Sequence, residues 1–261
     1  LSHTNQSRIS IRGNDGSVSN FLIQFAQPEV TRSDSRNSQM FDLLNSIVSS
    51  NQLCRQRNMS INTPIIVPIT PRIRLLKEAK TFVVLCSIYD DYYAKNGGDE
   101  LEPFLMSQNA SVVDTQGELI SENSRQLLAK KQRLRAYEYI CTKLVPSDML
   151  ARFVFSKLQN YESYWHVRKQ FTVQTGIIGY LSYLLSVGKQ NPFKISISMS
   201  SGLMQYADLR PNYKTSTSNG TAELGNNELV PFRLTPNMSH FIGTAGIKGV
   251  LPASMMALSN A

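Results

Sequence analysis

The hydrophobic period of this chain changes twice, and the order of those changes constrains its fold more than any single motif. Over the first eighty residues the pattern is that of strands and turns with one helix. Arg8-Ile9-Ser10-Ile11 alternates, Asn14-Asp15-Gly16 is a hairpin-turn signal in which glycine supplies a positive φ, and Phe21-Leu22-Ile23 restarts a strand. Between Ser38 and Val48 the apolar residues recur on one face at helical period. Pro64 to Ile69 is a short apolar run bracketed by prolines, expected as a buried or edge strand. From Thr81 the helical period takes over. It predicts helices over Thr81–Tyr93, Ser124–Leu144 and, behind the cap Pro146-Ser147-Asp148, Met149–Leu158. The longest apolar-periodic stretch, Ser163–Val187, is expected as a core helix or helix pair, with Trp165 as a core anchor. Strict alternation then returns at Ile195–Met199, followed by a Ser200-Ser201-Gly202 turn and a second short strand, Leu203–Ala207. Asn212–Glu228, rich in Ser, Thr, Asn and Gly, is expected to be a long mobile surface loop.

Composition narrows the class without choosing a function. With 41% hydrophobic and 18% charged residues in 261, the chain is too apolar for disorder and long enough for one large domain or two lobes. Its longest uncharged run, Gln170 to Gly188, is too polar for a membrane span, and its first stretch, Leu1 to Arg12, is polar and basic rather than a signal sequence, so it reads as intracellular. On that reading the five N-x-S/T sequons carry no weight. Cys54, Cys86 and Cys141 are too widely spaced for a disulfide scaffold or a metal framework, and His166 and His240 have no partner pattern for a metal. A net charge of +8 allows a nucleic-acid or acidic-protein partner but does not require one. The basic run from Lys130 to Arg135 lacks interleaved aromatics and reads as a solvated face.

A strand-rich region, a helical region and a hairpin leading into a long polar segment make up the layout of a kinase fold. Five motifs, in order along the chain, carry a closer resemblance. Arg12-Gly13-Asn14-Asp15-Gly16 followed by Phe21-Leu22-Ile23-Gln24 is similar to the G-S-D-G…F-L-L-K start of the phosphatidylinositol-3-kinase-related kinases, the PIKK family. Arg32-Ser33-Asp34-Ser35-Arg36 with Gln39 resembles that family's R-Q-D-E-R-x-x-Q, and Val67-Pro68-Ile69-Thr70-Pro71 its V-P-L-S-P strand. Trp165-His166-Val167-Arg168 opens the helix leading to the catalytic hairpin, and Val230 to Asn237 matches V-P-F-R-L-T-P-N after the activation loop. The resemblance implies an α+β, bilobal protein-kinase-like fold of the PI3K/PIKK type. Its β-rich N-lobe would occupy 1–80 and its helical C-lobe 81–261, with the catalytic-loop counterpart at 185–195 and the activation-loop counterpart at 208–231.

The chemistry departs from the family. Phosphoryl transfer needs a lysine on the nucleotide phosphates, a base for the substrate hydroxyl and two metal ligands. Where active members write L-G-L-G-D-R-H-P-x-N-I and D-F-G, this chain has Leu185 to Ile195 and Asp208-Leu209-Arg210. By that resemblance Lys189 replaces the catalytic aspartate, Asn191 the histidine, Lys194 the metal-binding asparagine and Arg210 the final glycine. Gln24 stands in the place of the phosphate-binding lysine, and Glu78 in the place of the tryptophan of G-L-I-E-W-V, which stacks on the base. Of the polar set only Asp208 survives; it either pairs with Lys194 in place of a metal or lies in solvent. A positioned base is worth roughly 10²–10⁴ in rate. A cation at Lys194 would repel a metal by more than the roughly 4 kcal/mol that two unit charges ~4 Å apart exchange at a dielectric near 20. The expectation is a pseudokinase without catalytic, cofactor-binding or metal-binding residues and without a small-molecule substrate.

Within the family, the transcription-associated pseudokinase branch shares this combination. That resemblance implies a structural and interaction role in a transcriptional coactivator scaffold of SAGA-type histone acetyltransferase complexes, in the nucleus. Its partners would be protein subunits of the complex and the rest of the same large polypeptide, with no membrane and no direct DNA contact. The chain has no helical-repeat region and no recognisable tail after Ala261, so it is expected to be a domain-sized portion. Two alternatives stay open: an active protein or lipid kinase with a rearranged site, and a nucleic-acid-binding module.

Overall fold

The computed structural model describes residues 7–25, 28–78, 81–96, 131, 134–158, 160–185, 187, 192–206 and 233–261. In chain order the strands are β1 (Ser7–Arg12), β2 (Val18–Phe25), β3 (Ile66–Thr70), β4 (Ile73–Lys77), β5 (Phe82–Val84), β6 (Ile195–Ser198) and β7 (Met204–Tyr206). The helices are α1 (Pro28–Ser50), α2 (Gln52–Gln56), α3 (Leu85–Asn96), α4 (Met149–Lys157), α5 (Tyr161–Leu184), α6 (Pro236–Ala245) and α7 (Leu251–Ser259). Two compact units divide the chain, one made of Leu1–Leu85, Leu158–Arg233 and Ile242–Ala261, the other of Cys86–Lys157 and Leu234–Phe241.

The first unit holds both sheets. β1, β2, β4 and β3 lie in that order, all antiparallel. The β1–β2 turn uses Gly16 at φ 80, as its sequence predicts. β3 sits at the sheet edge, where Pro68 removes no needed ladder donor, and the register shifts between Pro68 and Thr70. Thr70 Oγ1 then accepts the Ile73 N–H at 3.0 Å and shapes the turn into β4. β4 and α2, like α6 and α7, have no expectation behind them. β4 lacks alternation in sequence, and α2, at five residues, is shorter than a periodicity reading resolves. Asn51 starts α2 by accepting the Leu53 N–H at 2.9 Å. The helix ends on Asn58 in the left-handed region (φ 52), with Asn58 N–H donating to Arg55 O and Met59 N–H to Cys54 O, both at 3.0 Å.

The second sheet runs β5-β6-β7, antiparallel throughout. It corrects the helix expected over Thr81–Tyr93. Phe82-Val83-Val84 pairs with Ser198, Ile197 and Ser196, and the helix starts only at Leu85. Three residues cannot display a period, so the long-range pairing was invisible locally. Ile195, Ile197 and Met204 are wholly buried. Beside them runs α5, buried on nearly all sides from Val167 to Ser182, as a core helix must be. Its polar groups are largely matched in place: Thr172 and Thr175 donate to the carbonyls one turn back at 2.8 Å, and Gln174 Nε2 donates to Ser60 O at 2.9 Å.

α7 packs on α5 and reaches α2, where the Cys54 thiol donates to Ala257 O at 3.3 Å and Asn51 Nδ2 to Asn260 O at 3.2 Å. The helical run Pro236–Ser259 has the length and apolarity of a membrane span, by composition alone. It is interrupted, though: Gly243 is non-helical (φ 74, ψ 167), Gly246–Val250 forms a π-helical turn, and Phe241, Ile242, Leu251 and Leu258 are buried within the protein.

The described residues of the second unit are mainly helical. In α4, Leu150 and Val154 are buried, and the Leu150 N–H is satisfied by Asn237 Oδ1 at 3.2 Å. On α3, Tyr89 and Tyr93 stack with ring centroids 4.5 Å apart, and the Tyr93 hydroxyl donates to Leu144 O. Of the helix expected over Ser124–Leu144, residues 134–139 are helical and Ile140–Leu144 closes as a π-helical turn; 124–130 lie outside the described residues. So does the loop expected at Asn212–Glu228.

Candidate functional site

The positions singled out in the first sheet share one of its faces. At the tip of the β1–β2 hairpin, Gly13 N–H donates to Ser17 O at 2.8 Å and Gly16 N–H to Gly13 O at 3.0 Å. The Ser17 hydroxyl and N–H both donate to Asp15 Oδ1, at 2.7 and 3.0 Å. These bonds, the hydroxyl's first, hold the exposed Asp15 carboxyl below its ordinary range. A phosphate cradle turns free N–H groups outward. This tip turns three of them inward and presents a carboxylate.

Gln24 on β2 lies opposite Arg74 on β4, and Arg74 Nε donates to Gln24 Oε1 at 3.1 Å. Glu78, just past β4, donates its N–H to Asn20 O at 2.8 Å. Its carboxylate pairs with Arg8 of β1 at 2.9 Å. Asn20 and Gln24 share parity along β2, so Gln24 and Glu78 point to the same face, about 13 Å apart along the strands. On that face a neutral amide meets a guanidinium and a carboxylate meets another. Sequence reasoning placed Gln24 and Glu78 but missed Arg74 and Arg8 as their partners; the cross-strand register that joins them is set by a hairpin and by β3, not by local pattern.

Lys194 ends a short 3₁₀ turn, Pro192–Lys194, that leads into β6, and it is half-buried next to the wholly buried Ile195. Lys189, Asn191, Asp208 and Arg210 lie outside the described residues. Among the described residues, no three His, Cys, Asp or Glu side chains gather in a metal-ligand cluster.

Trp165, expected in the core, is 59% exposed. It belongs to the first turns of α5, and burial of that helix begins only at Val167. A helix buried on nearly every side downstream gives no sequence signal of where its covered part starts. Lys169 Nζ sits 5.1 Å from the Trp165 ring centroid, a cation–π contact at the surface. Three residues after Trp165, Arg168 Nη2 donates to Ile242 O at 3.2 Å, capping α6 where Gly243 breaks it.

Residues 21–261 match the family model described as Phosphatidylinositol 3- and 4-kinase. The chain is 27% identical over 274 residues to the SAGA complex/NuA4 acetyltransferase complex subunit TRA1 of Saccharomyces cerevisiae, covering 99% of this chain and 7% of that one. It is 30% identical over 266 residues to the SAGA complex/NuA4 acetyltransferase complex subunit Tra1 of Schizosaccharomyces pombe, covering 97% of this chain and again 7% of the relative. It therefore spans less than a tenth of either relative's length. Among solved structures, the FAT and kinase domain of CtTel1 superposes with a TM-score of 0.70 at 19% identity, over 97% of this chain and 16% of that one. That likeness shows the fold: α+β and kinase-like.

Proposed function

This chain belongs to the phosphatidylinositol 3- and 4-kinase family, and we propose that within it the domain is a pseudokinase, a kinase-fold module that transfers no phosphoryl group. The observation that carries this reading is the self-satisfied sheet face. In the position the resemblance gives to the phosphate lysine, Gln24 is neutral and engaged with Arg74, while the hairpin tip spends its N–H groups on itself and faces outward with Asp15. Lys194, Lys189 and Asn191 would deny the catalytic loop its base and a metal ligand. A magnesium nucleotide does not fit these residues, and no catalytic step is assigned to them. The lobes are proposed at 1–80 and 81–261; all four strands of the first sheet fall within the former.

The relatives are named as subunits of SAGA and NuA4 acetyltransferase complexes. On that basis the domain serves as a structural and interaction element of a transcriptional coactivator scaffold in the nucleus. Its neighbours are protein subunits of a histone acetyltransferase complex and the rest of its own polypeptide, with no membrane or direct DNA contact. The deciding measurement is thermal unfolding with magnesium ATP. A nucleotide present at 100 times its Kd would add about 2.7 kcal/mol and several degrees to the midpoint. The expected shift is none, and a saturable rise with nucleotide concentration overturns the reading.

Arg74 favours a second reading, in which its guanidinium takes over from the lysine of an active kinase. Label transfer from ATP that is lost in both Arg74→Gln and Asp208→Ala would establish that kinase. Absence of transfer removes it.

A further inference from the structure

The segment that resembles the family's V-P-L-S-P strand ends in Thr70-Pro71, a pair that the scaffold role leaves without a use. A threonine followed directly by proline is what proline-directed protein kinases read, because a proline there brings no N–H for the enzyme's pocket to satisfy. The chain holds three such pairs, at Thr63, Thr70 and Thr235, and the structure separates them. Thr63 and Pro64 are half-buried, two residues beyond Ile61, which is buried and clasped at both its N–H and its carbonyl by Asn45. Thr235 and Pro236 are half-buried as well, and the Thr235 hydroxyl accepts the Met238 N–H at 3.3 Å at the start of α6. At Thr70 the acceptor, the proline and their flanks all face solvent: residues 67–72 are exposed throughout.

The turn also suits a phosphate once it is there. Thr70 ends β3, and Pro71 and Arg72 carry the chain round into β4. Thr70 Oγ1 accepts the N–H groups of Ile73 at 3.0 Å and of Arg72 at 3.3 Å. Two backbone donors therefore converge on the oxygen that would be modified, beside the exposed Arg72 side chain. Residues 43–77 contain no aspartate or glutamate. A phosphate of about −1.5 to −2 charges would meet donors and cations from its own segment and no carboxylate.

We propose that Thr70 is a phosphorylation site for a separate, proline-directed serine/threonine kinase. The Thr70 hydroxyl oxygen attacks the γ-phosphorus of that enzyme's ATP. The Oγ1–P bond forms as the bond to the β–γ bridging oxygen breaks, ADP leaves, and the hydroxyl proton passes to the kinase's carboxylate base. Here the chain is only the acceptor, so the step does not rest on its own loss of catalysis. The product replaces a neutral hydroxyl with a dianion facing the Arg72 and Ile73 N–H groups, which ties the β3–β4 turn rather than opening it.

The test uses the whole chain, magnesium ATP and a purified mitogen-activated protein kinase, with the modified positions read by mass spectrometry over time. Half-buried sites must open before an enzyme reaches them, so phosphate should appear at Thr70 roughly tenfold or more faster than at Thr63 or Thr235. Pro71→Ala should slow modification of Thr70 by a similar factor, and omitting the added kinase should leave the chain unmodified. The phosphorylated protein should keep its circular dichroism and unfold at the same urea concentration or a higher one. The proposal is overturned if Thr70 takes up no phosphate, or if Pro71→Ala is modified as fast. Equal rates at all three threonines also overturn it, because they mark modification of unfolded chain, as does a lower urea midpoint after phosphorylation.

Discussion

Burial pushes the Cys86 thiol up to about 11, and the neighbouring Asp90 carboxylate adds to the effect by disfavouring a second negative charge. The sign of the consequence follows from proton counting. Above pH 9 the unfolded thiol has lost its proton while the folded one keeps it, so this group's contribution to stability is complete below pH 9 and declines as pH rises toward 11. The thiolate is also the form that reacts. Iodoacetamide labelling of Cys86, followed by mass spectrometry against pH, should show its midpoint near 11 in the folded protein and near the ordinary thiol value in urea. Coincident curves would remove the burial argument. At this scale the sequence singles out a residue whose type is abnormal for the motif it resembles, as with Gln24 and Glu78. It is not legible where a partner is chosen by register, as with Arg74, or where exposure is decided by a neighbouring element, as with Trp165.

Among the elements, the β6–β7 hairpin was the most readable, because strict alternation and a Ser-Ser-Gly turn need no tertiary context. The turn is held to α5 by Gly202. Its φ is +72, and a Cβ there would lie 2.5 Å from Val167 O and 2.9 Å from Val167 Cα. Gly16 has a similar φ of +80 with nothing within 4 Å of the same point. Backbone strain alone costs roughly 1–3 kcal/mol, and overpacking typically adds another 1–3. Gly202→Ala should therefore destabilise the protein in urea by about 1–3 kcal/mol more than Gly16→Ala does. Equal effects would mean that the contact with Val167 is slack. β5 was unreadable for the complementary reason: three apolar residues before a helix carry no period, and their strand identity comes from β6, more than a hundred residues downstream.

For the whole molecule, the strand–helix–hairpin layout foretold the kinase-like fold, yet not how the chain closes. The first unit is assembled from three separate segments. α7 joins its last segment to its first, through Cys54 and Ala257, 203 residues apart, and through Asn51 and Asn260. Leu251, Ala257 and Leu258 of α7 are buried, and fully burying a leucine is worth about 1.5–3 kcal/mol. Such a sum is a large part of a typical domain's net stability of roughly 5–15 kcal/mol. A chain ending after Val250 should lose its cooperative urea transition and expose surface that binds a hydrophobic dye. An unchanged transition would show that the joint is peripheral.

The same joint sets a clock on biosynthesis. The α2 surface leaves the ribosome about 200 residues before the helix that packs on it, and at roughly 5–20 residues per second the wait is about 10–40 s. Throughout that interval Cys54 and Asn51 lack their partners Ala257 and Asn260, so the nascent chain carries a seam whose last contacts come from α7.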